Sequence, residues 1–189
     1  MSWISRLFKK EAKLPPIDLG QLKVDFHSHL VPQIDDGSKS LEDSLTMLKK
    51  FQKWGYEKVI TTPHVMADFY RNTPDTILGG RDEVVKYFEE ENIKLDFQAA
   101  AEYYLDETLE EKIKEHKLLT FGDNYVLFEL PFVAEPPNLA NIIFELQTNG
   151  YKPILAHPER YGFWYKNFDK YQEMADKGVY LQLNILSLI

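Results

Sequence analysis

Four of the five histidines in this 189-residue chain, His27, His29, His64 and His157, fall at or just past the end of a short apolar run. Two carboxylates, Glu102 and Glu129, close or interrupt runs of the same kind. In a parallel α/β sheet the C-terminal strand edge is where ligands and catalytic groups gather. Imidazole and carboxylate converging there, without sulfur, suit Mn, Fe or Zn in a hydrolytic cluster. The chain has no cysteine, so disulfides, thiolate catalysis and sulfur-based zinc sites are excluded. Hydrolysis by this chain must use metals or another nucleophile.

The clusters differ in how much each says alone. In Asp25-Phe26-His27-Ser28-His29, side chains two apart on a strand share a face, so His27 and His29 can grip one ion. Asp25 is expected on that face too, as a further ligand or as an orienting partner of an imidazole. A bare His-x-His also occurs with no metal at all. His64 closes Thr61-Thr62-Pro63-His64, and Glu102 follows the small-residue run ending at Ala101. Glu129 sits inside Val126-Leu127-Phe128-Glu129-Leu130, where a charge is costly to bury unless it is paired or metal-bound. Each has a bland reading as a satisfied polar core group or a cap; their convergence favours the metal reading.

Two further positions flank the clusters. Asp35, in the loop Val31-Pro32-Gln33-Ile34-Asp35-Asp36-Gly37-Ser38, is either turn chemistry or a proton donor or partner of a ligand. Arg160, three residues after His157, has a planar fork suited to phosphate, or pairs with Glu159 on the surface. His116 lies in a charged helical stretch and reads as solvated.

Six runs are expected as strands: Lys23–His27, Lys58–Thr62, Lys94–Ala100, Tyr125–Leu130, Pro153–Ala156 and Val179–Leu183. Helical periodicity fills the intervals. Ser40 and Asp43 form a capping pattern before Leu41, Leu45, Leu48 and Phe51. Gly55, Gly150 and Gly178 each stand between a helix and a strand, the expected chemistry of αβ loops and thus of a largely parallel sheet. Pro74 after Thr73 starts another helix, inside which Gly79 and Gly80 are unexplained. No GxGxxG or P-loop follows a strand, so a barrel is expected over a nucleotide-binding open sheet.

Bulk properties bound the rest. With 44% hydrophobic and 28% charged residues, the chain suits one domain with one sizeable core. The net charge of −8 argues against a nucleic-acid partner, which needs a basic face. No apolar run reaches the roughly 18 residues of a membrane span. Within Met1–Lys10, Trp3, Ile4, Leu7 and Phe8 share a helical face beside Arg6, Lys9 and Lys10. That segment reads as a docking helix or tail, or as a weak anchor on an anionic membrane surface.

The segments VDFHSHLVPQIDDGSKSLEDSL, VITTPH, AAEYYLD, VLFELPF and ILAHPERY, in this order, resemble the capsule and exopolysaccharide tyrosine phosphatases of the polymerase-and-histidinol-phosphatase (PHP) superfamily. The match runs from about Lys23 to the end. The resemblance implies a distorted (β/α) barrel holding two to three ions, Mn foremost, with Fe, Zn and Mg as alternatives. It implies His27, His29, His64, Glu102, Glu129 and His157 as ligands, with Asp35 and Arg160 assisting catalysis or holding phosphate. It implies a cytoplasmic enzyme, at the inner membrane face if the N-terminal segment anchors it. Its substrate would be the phosphotyrosine tail of a bacterial tyrosine kinase.

The family pattern also carries an Asp-x-His pair near a late strand, and none follows His157 here. The expectation is therefore residues 1–20 as tail and 21–189 as a PHP-like domain incomplete at its C-terminus. Such a barrel would lack its last strand or two, leave one metal short of ligands, and offer an open edge for homo-oligomerisation. The alternatives are a phosphoesterase of small phosphomonoesters, a non-catalytic metal-binding fragment, or a structural domain with coincidental polar strand ends.

Overall fold

The computed structural model describes residues 18–89 and 91–188; the amphipathic segment Met1–Lys10 lies outside them. Eight strands occur among the described residues: β1 (Val24–Ser28), β2 (Lys58–Thr61), β3 (His64–Val65), β4 (Asp96–Ala99), β5 (Glu102–Tyr104), β6 (Tyr125–Glu129), β7 (Lys152–Ala156) and β8 (Tyr180–Gln182). Every pairing is parallel, in the orders β1-β2-β4 and β3-β5-β6-β7-β8.

Two short strands beyond the six expected, β3 and β5, follow bends at the ends of the second and third. Pro63 removes a backbone donor between β2 and β3, and the Ala100-Ala101 pair separates β4 from β5. Hydrogen bonds cross both bends, from Ala100 N to Thr61 O (2.8 Å) and from Glu102 N to Pro63 O (3.0 Å). His64 and Glu102 lie beyond the bends and pair with one another in register.

Helices α1 (Leu41–Lys53), α2 (Pro74–Glu89), α3 (Leu109–Lys114), α4 (Leu139–Thr148) and α5 (Asp169–Asp176) make the crossovers. Ser40 caps α1, its hydroxyl accepting from Asp43 N. Thr73 and Thr76 exchange hydroxyl–amide bonds at the start of α2. Gly55, Gly150 and Gly178 all take positive φ, as their places before strands require.

Apolar residues divide between two outer layers and a small interior. One layer packs Leu45 and Leu48 of α1 with Val84 and Phe88 of α2, over Val59 and Phe97. The other packs Ile113, Ile142 and Leu146 with Trp164, over Val126, Phe128 and Leu155. Inside the curve, Leu127, Ile154 and Ala156 meet Phe26, which stacks on Phe121 at 5.5 Å. The sheet curls until a side chain of β8 bonds one of β1, Gln182 to His27. No backbone pairing joins β1 to β8 among the described residues, and Val24 and Tyr180 on these edges are exposed.

Gly80 has a packing reason. A Cβ there would collide with Val31 Cγ1, whereas one on Gly79 would meet nothing within 4 Å. Gly80 lets α2 lie against the loop that follows β1.

Candidate metal centre

The strand ends bring all six expected ligands together. Glu102, at the start of β5, is the hub. Its Oε2 stands 3.1 Å from His27 Nε2, 3.3 Å from His29 Nε2 and 3.3 Å from His64 Nδ1. Its Oε1 lies 3.0 Å from His157 Nε2. Glu129, ending β6, approaches His64 Nδ1 at 3.2 Å through Oε1, and His157 Nε2 at 3.7 Å through Oε2. Glu102, Glu129 and His157 are buried.

Burial by itself would push the Glu102 carboxyl up. The imidazoles of His157, His27 and His29 close to it overcome this and hold the group well below the usual carboxylate range. His64 is opposed by burial but raised on balance, by Glu129 and then by the charge of Glu102.

The donor set fits metal ions. Glu102 Oε2 and His64 Nδ1 are buried without a well-formed hydrogen bond, although the distances above are short. Lone pairs converge there at angles that suit a shared cation better than one another. Among the described residues, three groups have donor atoms mutually within 4.8 Å: His27, His29 and Glu102; His29, Asp36 and His64; His64, Glu102 and Glu129.

Asp25 does not join these groups. The β1–β2 register shifts between Asp25 and Ser28, which breaks the simple alternation expected to carry Asp25 onto the histidine face. Its carboxyl is pushed up by burial, with Ser28 and His27 opposing.

Asp35 has both oxygens engaged. Oδ2 accepts from His29 Nδ1 at 2.6 Å and from His64 N at 3.0 Å, and Oδ1 accepts from Gly37 N at 2.9 Å. Its side chain is 0% exposed. Burial is the largest influence and would raise it, but His29, Gly37 and His64 leave it lowered. In the metal-free chain Asp35 is thus the partner of His29, one of the roles expected for it. The turn chemistry is present as well, in the bond from Gly37 N to Oδ1 two residues back, and Gly37 lies so close to His29 that a Cβ would collide with it.

Arg160 is exposed at the mouth, its guanidinium 5.0 Å from the Phe132 ring centre, in place of the surface pair with Glu159. A cavity of about 550 Å³ opens between this rim and the six ligands, lined also by Asp36, Tyr70, Tyr104 and Asn184. His116 is remote and exposed. Sequence reasoning missed Gln182, Asp36, Phe132 and Tyr70 as site residues. Tyr70 stacks on His64 at 5.5 Å, but an aromatic in a loop carries no spacing signal.

The family model described as capsular polysaccharide synthesis, CpsB/CapC, matches residues 23–189. The tyrosine-protein phosphatase YwqE of Bacillus subtilis (strain 168) is 30% identical over 166 residues, covering 87% of this chain and 65% of that protein. The tyrosine-protein phosphatase CpsB of Streptococcus agalactiae serotype V is 26% identical over 163 residues, covering 85% and 67%. Crystal structures of YwqE and of CpsB from Streptococcus pneumoniae are of unique metal-dependent tyrosine phosphatases; the one compared superposes with a TM-score of 0.79 at 30% identity, covering 85% of this chain and 65% of its own. The chain thus spans about two thirds of the length of these relatives.

Proposed function

The chain belongs to the capsular polysaccharide synthesis family CpsB/CapC, and from that premise we propose that it is a metal-dependent phosphatase of phosphotyrosine. The observation that carries the reading is Glu102 Oε2, buried within 3.3 Å of three imidazole nitrogens beneath a cavity rimmed by Arg160. The names of its relatives support the substrate class.

His27, His29, His64, Glu102, Glu129 and His157 would hold two to three ions, Mn foremost. A bound cluster supplies an acidified water and positive charge facing phosphate oxygens. Arg160 lends its fork to the same oxygens, and the ring of Phe132 keeps that fork over the cavity. Asp35 keeps His29 turned inward. Water adds to phosphorus in line, the bond to the phenolic oxygen breaks, and a proton given up by the water ends on the phenolate, leaving phenol and hydrogen phosphate.

The phosphotyrosine tail of a bacterial tyrosine kinase is the proposed substrate, met in the cytoplasm. The N-terminal segment would add weak contact with the inner membrane face; no helix among the described residues is long and apolar enough to cross a membrane. The unpaired edges of β1 and β8 are the proposed seat of homo-oligomerisation.

The test is manganese-dependent phosphate release from a tyrosine-phosphorylated peptide, with a chelator control and small phosphomonoesters alongside. Chelator-sensitive turnover favouring the peptide, lost in His157→Ala without unfolding, is the expected result. Turnover on small esters alone would replace the substrate class. Metal binding without any turnover would leave a non-catalytic module.

A further inference from the structure

Gln182 is the only contribution of β8 to the histidine cluster among the described residues, and its amide orientation is unambiguous. Oε1 accepts from His157 N at 3.0 Å, and a backbone N–H can only donate. Turning the amide over would set its NH2 against that N–H and would forfeit the bond from Nε2 to Asn184 Oδ1 at 3.1 Å. Asn184 is held in turn, its N–H donating to Glu159 Oε1 at 3.1 Å.

The same Oε1 lies 2.7 Å from His27 Nδ1. Two lone pairs at that distance would repel, so Nδ1 must carry a proton and donate it. His27 Nε2 is then the nitrogen that faces Glu102 Oε2, 3.1 Å away; in the metal-free chain it donates there, and it is the position a cation would take over. An acceptor on the far ring nitrogen is the general way a protein selects the ligating tautomer of an imidazole.

We propose that Gln182 is a positioning residue that fixes His27 as the Nδ1–H tautomer, aiming Nε2 at the metal centre. It does this from a rigid seat. Gln182 is in register with Ala156, and its bond to His157 N braces a residue whose φ of 33° is costly outside glycine. One side chain therefore sets two ligands, His27 through its ring and His157 through its backbone. The inference rests on the metal-centre reading above but not on the identity of the substrate.

The test has two readouts that need no turnover: long-range 1H–15N spectra of the histidine rings in the metal-free full chain, and manganese affinity by calorimetry. In the wild type, His27 Nδ1 is expected to give a protonated, slowly exchanging signal. Gln182→Met, which keeps volume and removes the acceptor, should lose that signal and weaken manganese about 10–100-fold. Gln182→Glu, which keeps an acceptor oxygen, should restore both, and circular dichroism should be unchanged across the set. An unprotonated Nδ1 in the wild type, or affinity in Gln182→Met within about twofold of wild type, would overturn the proposal. If both readouts hold while the wild type hydrolyses no phosphotyrosine, the assignment of Gln182 stands and the proposed substrate falls.

Discussion

Asp35 Oδ2 and His29 Nδ1 lie 2.6 Å apart, and this pair governs how the metal-free site responds to pH. Burial opposes a charged imidazole, but the bonds to Asp35 and Glu102 prevail and raise His29 from 6.5 to about 10. A raised folded-state pKa stabilises the protein fully below the unfolded value, and the gain is lost as pH climbs through the folded one. The chelator-treated protein should therefore lose melting temperature between pH 6.5 and about 10. Asp35→Asn should flatten that slope. Manganese must displace the same proton, so its affinity should rise with pH over this interval. Calorimetry at three pH values checks it; a flat affinity would remove His29 from the ligand set.

Arg160 is exposed and stacked on Phe132, with no buried partner to lose. Arg160→Ala is expected to lower turnover on phosphotyrosine peptide by about 10²–10³, the range for deleting one donor to a developing anion. Manganese affinity should stay as in the wild type. Arg160→Lys should recover only part, since an ammonium keeps charge without the fork. Steady-state kinetics beside a metal-binding isotherm separate these outcomes.

The legible part of this molecule was whatever obeys short-range periodicity. The Ser40 cap, the helix of Leu41–Lys53 and the three glycine-ended helices follow from local chemistry, and the strand ends placed six candidate ligands on one edge. What failed was long-range or geometric. The short strands β3 and β5 were not expected, because pairing beyond the bends at Pro63 and Ala100–Ala101 depends on neighbours. Asp25 lies outside the candidate metal groups, and the register shift beside it is set by pairing with β2, not by its own sequence. Gln182 was invisible since its meaning lies in His27, 155 residues away.

Tyr161, within the HPERY segment, is fully buried and bridges two strand ends. Its hydroxyl accepts from Leu130 N at 2.9 Å and donates to Ala156 O at 3.0 Å. Burial pushes its ionisation well above the usual range, so the bridge persists through any working pH. Tyr161→Phe strips both groups of their partner, at a cost of about 1–3 kcal/mol, or about 2–4 °C of melting temperature per kcal/mol for a chain of this size. Turnover should fall too, because Leu130 precedes the Phe132 loop and Tyr161 follows Arg160. A melting curve within 1 °C of wild type (roughly, by the same scaling) would show that the bridge contributes little.

The paired glycines of α2 give a test with opposite signs at adjacent positions. Gly79 is exposed and a Cβ there meets nothing, so Gly79→Ala should stabilise the helix by about 0.5–1 kcal/mol through lower unfolded-state entropy. Gly80 faces Val31 too closely for any side chain, so Gly80→Ala should destabilise by about 1–3 kcal/mol, the usual cost of overpacking. Relief of that collision pushes on the loop of Val31–Ser38, which carries Asp35 and Asp36 to the metal centre. Manganese affinity should therefore drop in Gly80→Ala and stay constant in Gly79→Ala. Thermal melts and metal isotherms on the two variants decide the matter. Equal melting shifts would mean that α2 does not hold the loop, and that the loop is positioned from Asp35 and its bonds alone.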